Sequence, residues 1–283
     1  MKIFVTGADG QLGMSLRKIA GEYPGYGFVF TDLPEGDVTD RWKMWELVEE
    51  NEPDLIVNCA AYTAVDRAEQ EPEEAAAVNS YGAGNMAEIA ATMEIPLVHI
   101  STDYVFGGTA SEPVTEEDRP DPRSVYGQTK IEGDMAVRAW RGDAAVIRTS
   151  WLYSEFGHNF VKTMLRLGAC GDGLRVVDDQ AGCPTYATDL ARAIIQIAEK
   201  GIREFEVYNY CNGGQTTWYG FAREIFRQAG MDVEVRPVST ADYPTAARRP
   251  AYSVLDTAKI QRAGIVVPEW REALGRCLRE LGR

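Results

Sequence analysis

The sequence predicts an α/β protein organised around a doubly wound parallel sheet. Three observations predict it. Short apolar runs alternate with longer stretches of helical periodicity, the runs show little polar alternation, and a glycine-rich turn follows the first of them. Parallel strands covered by helices on both faces bury both sets of side chains, so they read as almost unbroken apolar segments. A strand–helix–strand rhythm calls for right-handed crossovers, which place helices on both sides of the sheet.

The elements follow in order. Strands are expected at 2–6, 27–31, 54–58, 96–101 and 143–149, separated by helices at about 11–22, 39–51, 72–92 and 124–140. Beyond residue 150 the rhythm breaks up, with Gly, Asp and Pro punctuating 168–184 and 236–250. Helices are expected there at 159–168, 187–200, 217–229 and 268–281, and short strands near 174–177, 205–210 and 232–236.

Gly7-Ala8-Asp9-Gly10-Gln11-Leu12-Gly13 joins the first strand to the first helix with the spacing G-x-x-G-x-x-G. Glycine alone marks any tight turn. At a strand-to-helix turn it also lets backbone N–H groups approach a pyrophosphate, which the helix N-terminus favours through its partial positive charge. Gly7 and Gly10 shape the turn, and Gly13 allows the helix to pack close to the sheet. Asp32 ends the second strand roughly 20 residues on, where a carboxylate suits the ribose hydroxyls of an adenosine and favours NADH over NADPH. Arg17 and Lys18 on the first helix keep NADPH open. We therefore expect a Rossmann-type NAD(P)-binding domain over 1–150. A smaller, partly interleaved C-terminal substrate lobe is expected over 151–283, with about 186–205 returning to the first domain.

Composition narrows the function. A net charge of -14 repels phosphate backbones and anionic membrane surfaces, so neither nucleic acid nor membrane is an expected partner. An anionic substrate would need a local basic pocket. Cys59, Cys170, Cys183, Cys211 and Cys277 are odd in number and form no C-x-x-C pair, which fits reduced thiols and a cytoplasmic location. With only His99 and His158 besides, no zinc-type ligand cluster is expected. The chain enters a strand at Lys2 without a signal-peptide pattern, and no apolar run reaches membrane-span length.

Tyr126-Gly127-Gln128-Thr129-Lys130 places a phenol and an ammonium four residues apart at the start of a helix, with Ser124 as candidate N-cap. Such pairs also occur by chance on helix surfaces. A tyrosine ionises near pH 10, and a neighbouring cation eases loss of its proton, which could pass to a carbonyl as hydride arrives. Ser101-Thr102-Asp103 ends the fourth strand, on the side where open parallel sheets bind ligands. Thr102 could donate to the same carbonyl oxygen.

These residues resemble the extended short-chain dehydrogenase/reductases, and within them the dTDP-4-dehydrorhamnose reductase family. The resemblance rests on the glycine turn, the tyrosine–lysine helix, Asn58-Cys59-Ala60-Ala61-Tyr62-Thr63-Ala64-Val65-Asp66 and Ser101-Thr102-Asp103-Tyr104-Val105-Phe106. It also rests on Arg148-Thr149-Ser150-Trp151-Leu152-Tyr153, Asp178-Asp179-Gln180-Ala181-Gly182-Cys183-Pro184-Thr185, Arg248-Arg249-Pro250 and Ser253-Val254-Leu255-Asp256. It runs from residue 1 to about 275.

The resemblance implies reduction of the C4 ketone of dTDP-4-dehydro-L-rhamnose by NADH or NADPH, with Thr102, Tyr126 and Lys130 as catalytic residues. Tyr126 would be the proton donor, and Lys130 would also hold the nicotinamide ribose. Gly10, Gln11, Leu12, Asp32, Asp37, Val38, Ala60, Ala61, Tyr62 and Thr63 would line the cofactor, and Asn79 would orient Lys130 through water. Asp103 and Trp151 would touch the sugar. Trp151 also reads as a core aromatic, but its place at the mouth of the fifth strand favours the sugar. Arg248 and Arg249 are the local basic candidates for the diphosphate, or surface charges offsetting the acidic field. Asp178 and Asp179 read as a turn or as part of the pocket.

Related 4,6-dehydratases carry a glutamate after the Thr-Asp pair; Tyr104 stands here, which removes the acid–base group of a dehydration. Some relatives hold magnesium at a dimer contact through glutamates that cannot be matched in this chain, so no metal is expected. The oligomer would be a monomer or homodimer. Two alternatives differ in class. One is a non-catalytic NADP-binding subunit like the regulatory subunit of methionine adenosyltransferase. The other is a nucleotide-sugar epimerase that recycles its cofactor.

Overall fold

A computed structural model describes residues 1–283 except Arg141 and Asp172. In chain order the first half comprises β1 (Lys2–Thr6), α1 (Gln11–Ile19), β2 (Gly27–Phe30), α2 (Arg41–Asn51), β3 (Leu55–Asn58), α3 (Val65–Ala68), α4 (Pro72–Ala76), α5 (Ala83–Thr92), β4 (Leu97–Thr102), α6 (Val125–Ala139) and β5 (Ala144–Thr149). The second comprises β6 (Leu152–Tyr153), α7 (Phe160–Gly168), β7 (Leu174–Val177), β8 (Ala181–Gly182), β9 (Thr185–Tyr186), α8 (Ala187–Lys200), β10 (Glu206–Asn209), β11 (Thr216–Thr217), α9 (Trp218–Gln228), β12 (Val235–Val238), α10 (Ala258–Arg262) and α11 (Trp270–Glu280).

The apolar runs form one parallel sheet in the order β2-β1-β3-β4-β5-β10. Period-two alternation along each strand sorts side chains onto two cores. On one face Ile3, Val5, Leu55, Val57, Val98 and Ile147 pack against Leu12 and Leu16 of α1 and Leu190 and Ile194 of α8. On the other, Phe4, Ile56, Leu97 and Val146 meet Met44 of α2, Met86 and Ile89 of α5, and Val137 of α6. A third core joins Val161 and Leu165 of α7, Phe221 and Ile225 of α9, and Trp270 and Leu274 of α11.

The strand order reverses between β1 and β3, which opens a crevice at their C-terminal ends. Gly7, at φ +62°, lies so close to the turn after β3 that a Cβ there would fall 2.6 Å from the Ala60 nitrogen. The two loops of the crevice therefore meet backbone to backbone.

The helix expected over 72–92 is interrupted. A π-helical turn, Ala77–Gly82, separates α4 from α5. Gly82 packs onto Val38, where a Cβ would sit 2.7 Å from the valine Cγ2, and the wider turn carries Asn79 inward. The last expected strand is displaced from 232–236 to Val235–Val238, because its parallel pairing with Leu174–Val177 sets its position. α3 and the two-residue pairings β6–β9 and β8–β11 are additions to the expected elements.

Candidate active site

The helix that follows the glycine turn has an open N-terminus. Gly10 is its N-cap, no side chain caps it, and its first turn carries no acid. Gly13 keeps the helix against the turn, since a Cβ there would meet the Ala8 Cα at 2.5 Å. This end can accept an anion through backbone N–H groups, so the chain fits a dinucleotide pyrophosphate. Ser154 Oγ and Asn159 Nδ2 both donate to Gln11 Oε1, at 3.0 and 2.9 Å, and Leu12 is buried.

Asp32 reaches back to the turn: Oδ2 accepts from the Asp9 N–H at 2.7 Å and Oδ1 from the Leu33 N–H at 2.7 Å. It thus braces the loop beside the crevice. Arg17 lies over the Phe30 ring and 3.4 Å from Asp9, whereas Lys18 is committed to Glu155 and Glu280. Asp37 caps Thr39, and the Val38 carbonyl accepts from Asn85 Nδ2. After β3, Asn58 Oδ1 accepts from the Ala60 N–H, and Ala61 and Tyr62 are half-buried while Thr63 is exposed. Asn79 clasps the Tyr62 backbone, accepting from its N–H at 2.9 Å and donating to its carbonyl at 3.1 Å, and also donates to Thr129. Its amide is engaged with the loop after β3 and with Thr129, one residue short of Lys130.

Thr102 ends β4 beside Thr149 of β5. Its hydroxyl donates to Asp103 Oδ1 at 3.1 Å and accepts from the Tyr104 N–H at 3.2 Å. The N-terminus of α6 docks on this turn. Ser124 caps the helix, accepting from the Gly127 N–H at 3.1 Å, and Gly127 sits where a Cβ would strike the Tyr104 carbonyl. Tyr126 and Lys130 therefore face the strand end together. Lys130, 1% exposed, donates to the Ile100 carbonyl at 2.6 Å.

Burial dominates the electrostatics. It pushes the Tyr126 phenol above its ordinary range, the facing Thr102 hydroxyl working in the opposite direction. The loosening of this proton expected from Lys130 does not appear among the influences on the phenol, which burial dominates because an oxyanion in a dry site loses its hydration. Burial also brings Lys130 down to about 8, against the attraction of Asp134. Asp103 is pushed up to about 6 by burial, opposed by the Ser253 and Thr102 hydroxyls. Its Oδ2 makes no hydrogen bond of good geometry among the described residues.

Beneath the site runs a polar seam. Thr6 Oγ1 donates to Asn58 Oδ1 at 2.7 Å, and Asn58 Nδ2 contacts His99 Nδ1 at 3.2 Å. Burial keeps His99 neutral; with Nδ1 accepting from Asn58 the ring proton sits on Nε2, which has no hydrogen-bond partner among the described residues. One turn beyond Lys130, Asp134 pairs with Arg148 at 3.2 Å, with side chains 4% and 6% exposed.

After β5, Trp151 has a left-handed backbone at φ +46°, uncommon for a bulky residue, and stacks on Trp218. It is only half-buried. Arg248 is exposed, whereas Arg249 contacts Tyr104 and Asp66. Asp178 accepts from Thr217, and Asp179 accepts from Thr240. Sequence reasoning missed Trp218, Gly182 and Asp66. Only spatial proximity marks Trp218, while Gly182 and Asp66 lay within quoted motifs without a role. Among the described residues no three His, Cys, Asp or Glu side chains are grouped to hold a metal ion, and no helix is long and apolar enough to cross a membrane.

An open parallel sheet, an uncapped helix at its switch point and a Thr-Tyr-Lys set at the strand ends define an extended short-chain dehydrogenase/reductase. The sequence matches the RmlD substrate binding domain family over residues 1–283. The dTDP-4-dehydrorhamnose reductase of Sinorhizobium fredii is 41% identical over 98% of this chain and 96% of that protein. The dTDP-4-dehydrorhamnose reductase of Clostridium acetobutylicum superposes with a TM-score of 0.95 at 40% identity, covering 100% of both chains. That of Bacillus anthracis, solved in complex with NADP, gives 0.94 at 38% identity over 99% of both. The chain belongs to the dTDP-4-dehydrorhamnose reductase family. Neither the regulatory-subunit nor the epimerase alternative is favoured by these relatives.

Proposed function

We propose that the protein reduces the C4 ketone of dTDP-4-dehydro-L-rhamnose to dTDP-L-rhamnose with NADH or NADPH. The observation that carries this reading is the grouping of Thr102, Tyr126 and Lys130 at the C-terminal edge of the sheet, the edge at which the open end of α1 also lies. The reduced nicotinamide supplies a hydride. Tyr126, kept protonated by burial, gives its proton to the ketone oxygen as the hydride reaches C4. Thr102 donates to the same oxygen and holds its developing charge. The Lys130 ammonium offsets the phenolate left on Tyr126.

In this reading residues 1–150 bind the cofactor and 151–283 mainly the nucleotide sugar. Gln11, Leu12, Asp32, Asp37, Val38, Ala60 to Thr63, Asn79 and Lys130 line the cofactor, with Asp32 favouring NADH and Arg17 near enough to the ribose end to admit NADPH. Asp103 and Trp151 flank the sugar, and Arg248 supports its diphosphate. The protein works in the cytoplasm as a monomer or homodimer.

The test is a coupled assay with dTDP-4-dehydro-L-rhamnose and each reduced cofactor, with the product sugar identified. One cofactor oxidised per rhamnosyl nucleotide formed is expected. A protein inert with this and every other dTDP-4-ketosugar, yet retaining NADP and a partner enzyme, would be a regulatory subunit.

A further inference from the structure

The segment carrying Arg248-Arg249-Pro250 is threaded through the sugar side of the site. Ala181 donates to the Ala251 carbonyl and accepts from the Ser253 N–H, at 2.8 and 2.9 Å. The Tyr252 N–H donates to the Gly108 carbonyl at 3.2 Å, and the Val254 carbonyl accepts from Val114 at 2.8 Å. The stretch is thus held between β8 and the loop that follows the Thr102 turn.

Its upstream end is tied to the first half of the chain by one carboxylate. Asp66 of α3 accepts from the Ala247 N–H through Oδ1, at 3.1 Å, and meets Arg249 Nη2 through Oδ2, at 2.6 Å. The other arm of the guanidinium, Nη1, donates to the Tyr104 hydroxyl at 2.9 Å. Tyr104 lies edge to face against Tyr126, ring centroids 5.5 Å apart and planes 73° apart. A continuous chain of contacts therefore runs from Asp66 through Arg249 and Tyr104 to the phenol of Tyr126.

This chain contributes little as a surface ion pair. The Arg249 and Asp66 side chains are 25% and 45% exposed, and pairs so placed are screened by solvent. What it supplies is direction. A planar guanidinium offers two donors at a fixed angle, so one arm locates the other's partner. A lysine could satisfy only one side.

We propose that Asp66 and Arg249 are positioning residues that hold Tyr104 against Tyr126 and pin the 247–251 stretch beside the site. This rests on the reductase reading above. It assigns Arg249 to the protein's own tyrosine rather than to the substrate diphosphate.

The test combines steady-state kinetics of Asp66→Asn, Arg249→Met, Arg249→Lys, Tyr104→Phe and the Asp66→Asn/Arg249→Met double variant with amide hydrogen exchange at Ala247 in ligand-free wild type and Asp66→Ala. Small misplacements of reacting groups are costly, so kcat should fall about tenfold in Asp66→Asn, Arg249→Met and Tyr104→Phe, with KM for the ketosugar unchanged. The double variant should be no worse than either single one, Arg249→Lys should recover part of the loss, and exchange at Ala247 should quicken in Asp66→Ala, which removes the acceptor. A rise in KM for the ketosugar in Arg249→Met, with Asp66→Asn behaving as wild type, would place Arg249 on the diphosphate and overturn the proposal. Multiplying losses in the double variant, or unaltered kcat in the single variants, would do the same. Wild-type protein inert toward every dTDP-4-ketosugar would sink the reductase reading instead. Unchanged exchange at Ala247 in Asp66→Ala overturns the tie whatever the activity.

Discussion

Trp151 and Trp218 lie ring on ring, centroids 3.6 Å apart and planes 10° from parallel, although 67 positions separate them in the chain. The stack fits only because residue 182 is glycine: a Cβ there would fall 2.5 Å from the Trp151 ring. Gly182→Ala should therefore displace the indole. If Trp151 contacts the sugar, KM for the ketosugar rises several-fold, on the order of 1 kcal/mol, while KM for the cofactor stays fixed. Steady-state kinetics with each substrate varied decide it, and an unaltered sugar KM despite a displaced ring returns Trp151 to the core.

Tyr126→Phe keeps the ring against Tyr104 and removes only the acidic proton. Cofactor affinity, measured by fluorescence titration, should be retained, while turnover drops by about 10²-fold or more. Normal turnover would transfer the proton-donor role elsewhere.

Lys130 is brought down to about 8 by burial, so its ammonium is lost as pH rises through that value. The rate should consequently decline above about pH 8, earlier than an exposed lysine would require. Stability moves the other way. The unfolded chain binds the extra proton between about pH 8 and 10.4, so unfolding free energy gains a rising component there. Lys130→Met should abolish both trends; a rate profile flat to pH 10 would remove the ammonium from the reaction.

Asp103 gives the opposite slope at acid pH. Its folded value is raised to about 6, so the native state holds a proton that the unfolded chain releases near pH 4. Its contribution is fully present below about pH 4 and is lost as pH rises through 6, an effect on the order of 3 kcal/mol at most. Urea unfolding of wild type and Asp103→Asn across this range should show the variant gaining relative stability toward pH 7. Parallel curves would mean that the carboxyl ionises normally.

Asp32→Ala should weaken NADH more than NADPH, since the carboxylate suits a ribose diol and repels a 2′-phosphate. Because Asp32 also holds the Asp9 N–H, some loss with both cofactors is expected. Binding titrations that show equal losses would reduce Asp32 to a brace for the loop.

Periodicity and turn chemistry made the sheet legible. Continuous runs such as Leu55–Asn58 and Ala144–Thr149, too short for helices, read as strands buried on both faces, and Ser124 announces its helix by its capping hydroxyl. The grouping of Thr102, Tyr126 and Lys130 was readable because one helix and one strand end carry all three. Less was legible where long-range contacts override local preference. The π-turn at Ala77–Gly82 answers to Val38, and the two-residue strands exist only through partners distant in sequence. The raised phenol of Tyr126 was equally hidden, because desolvation depends on what surrounds the ring rather than on its spacing from Lys130.

The buried Asp134–Arg148 pair has a consequence for how this chain can vary. Either charge left alone in that setting costs several kcal/mol, whereas apolar residues of matched volume in both places are tolerated. The two positions form a single heritable unit spanning a helix and a strand. A lineage can keep both ions or exchange both, but the one-step intermediate between those states is a protein that struggles to fold.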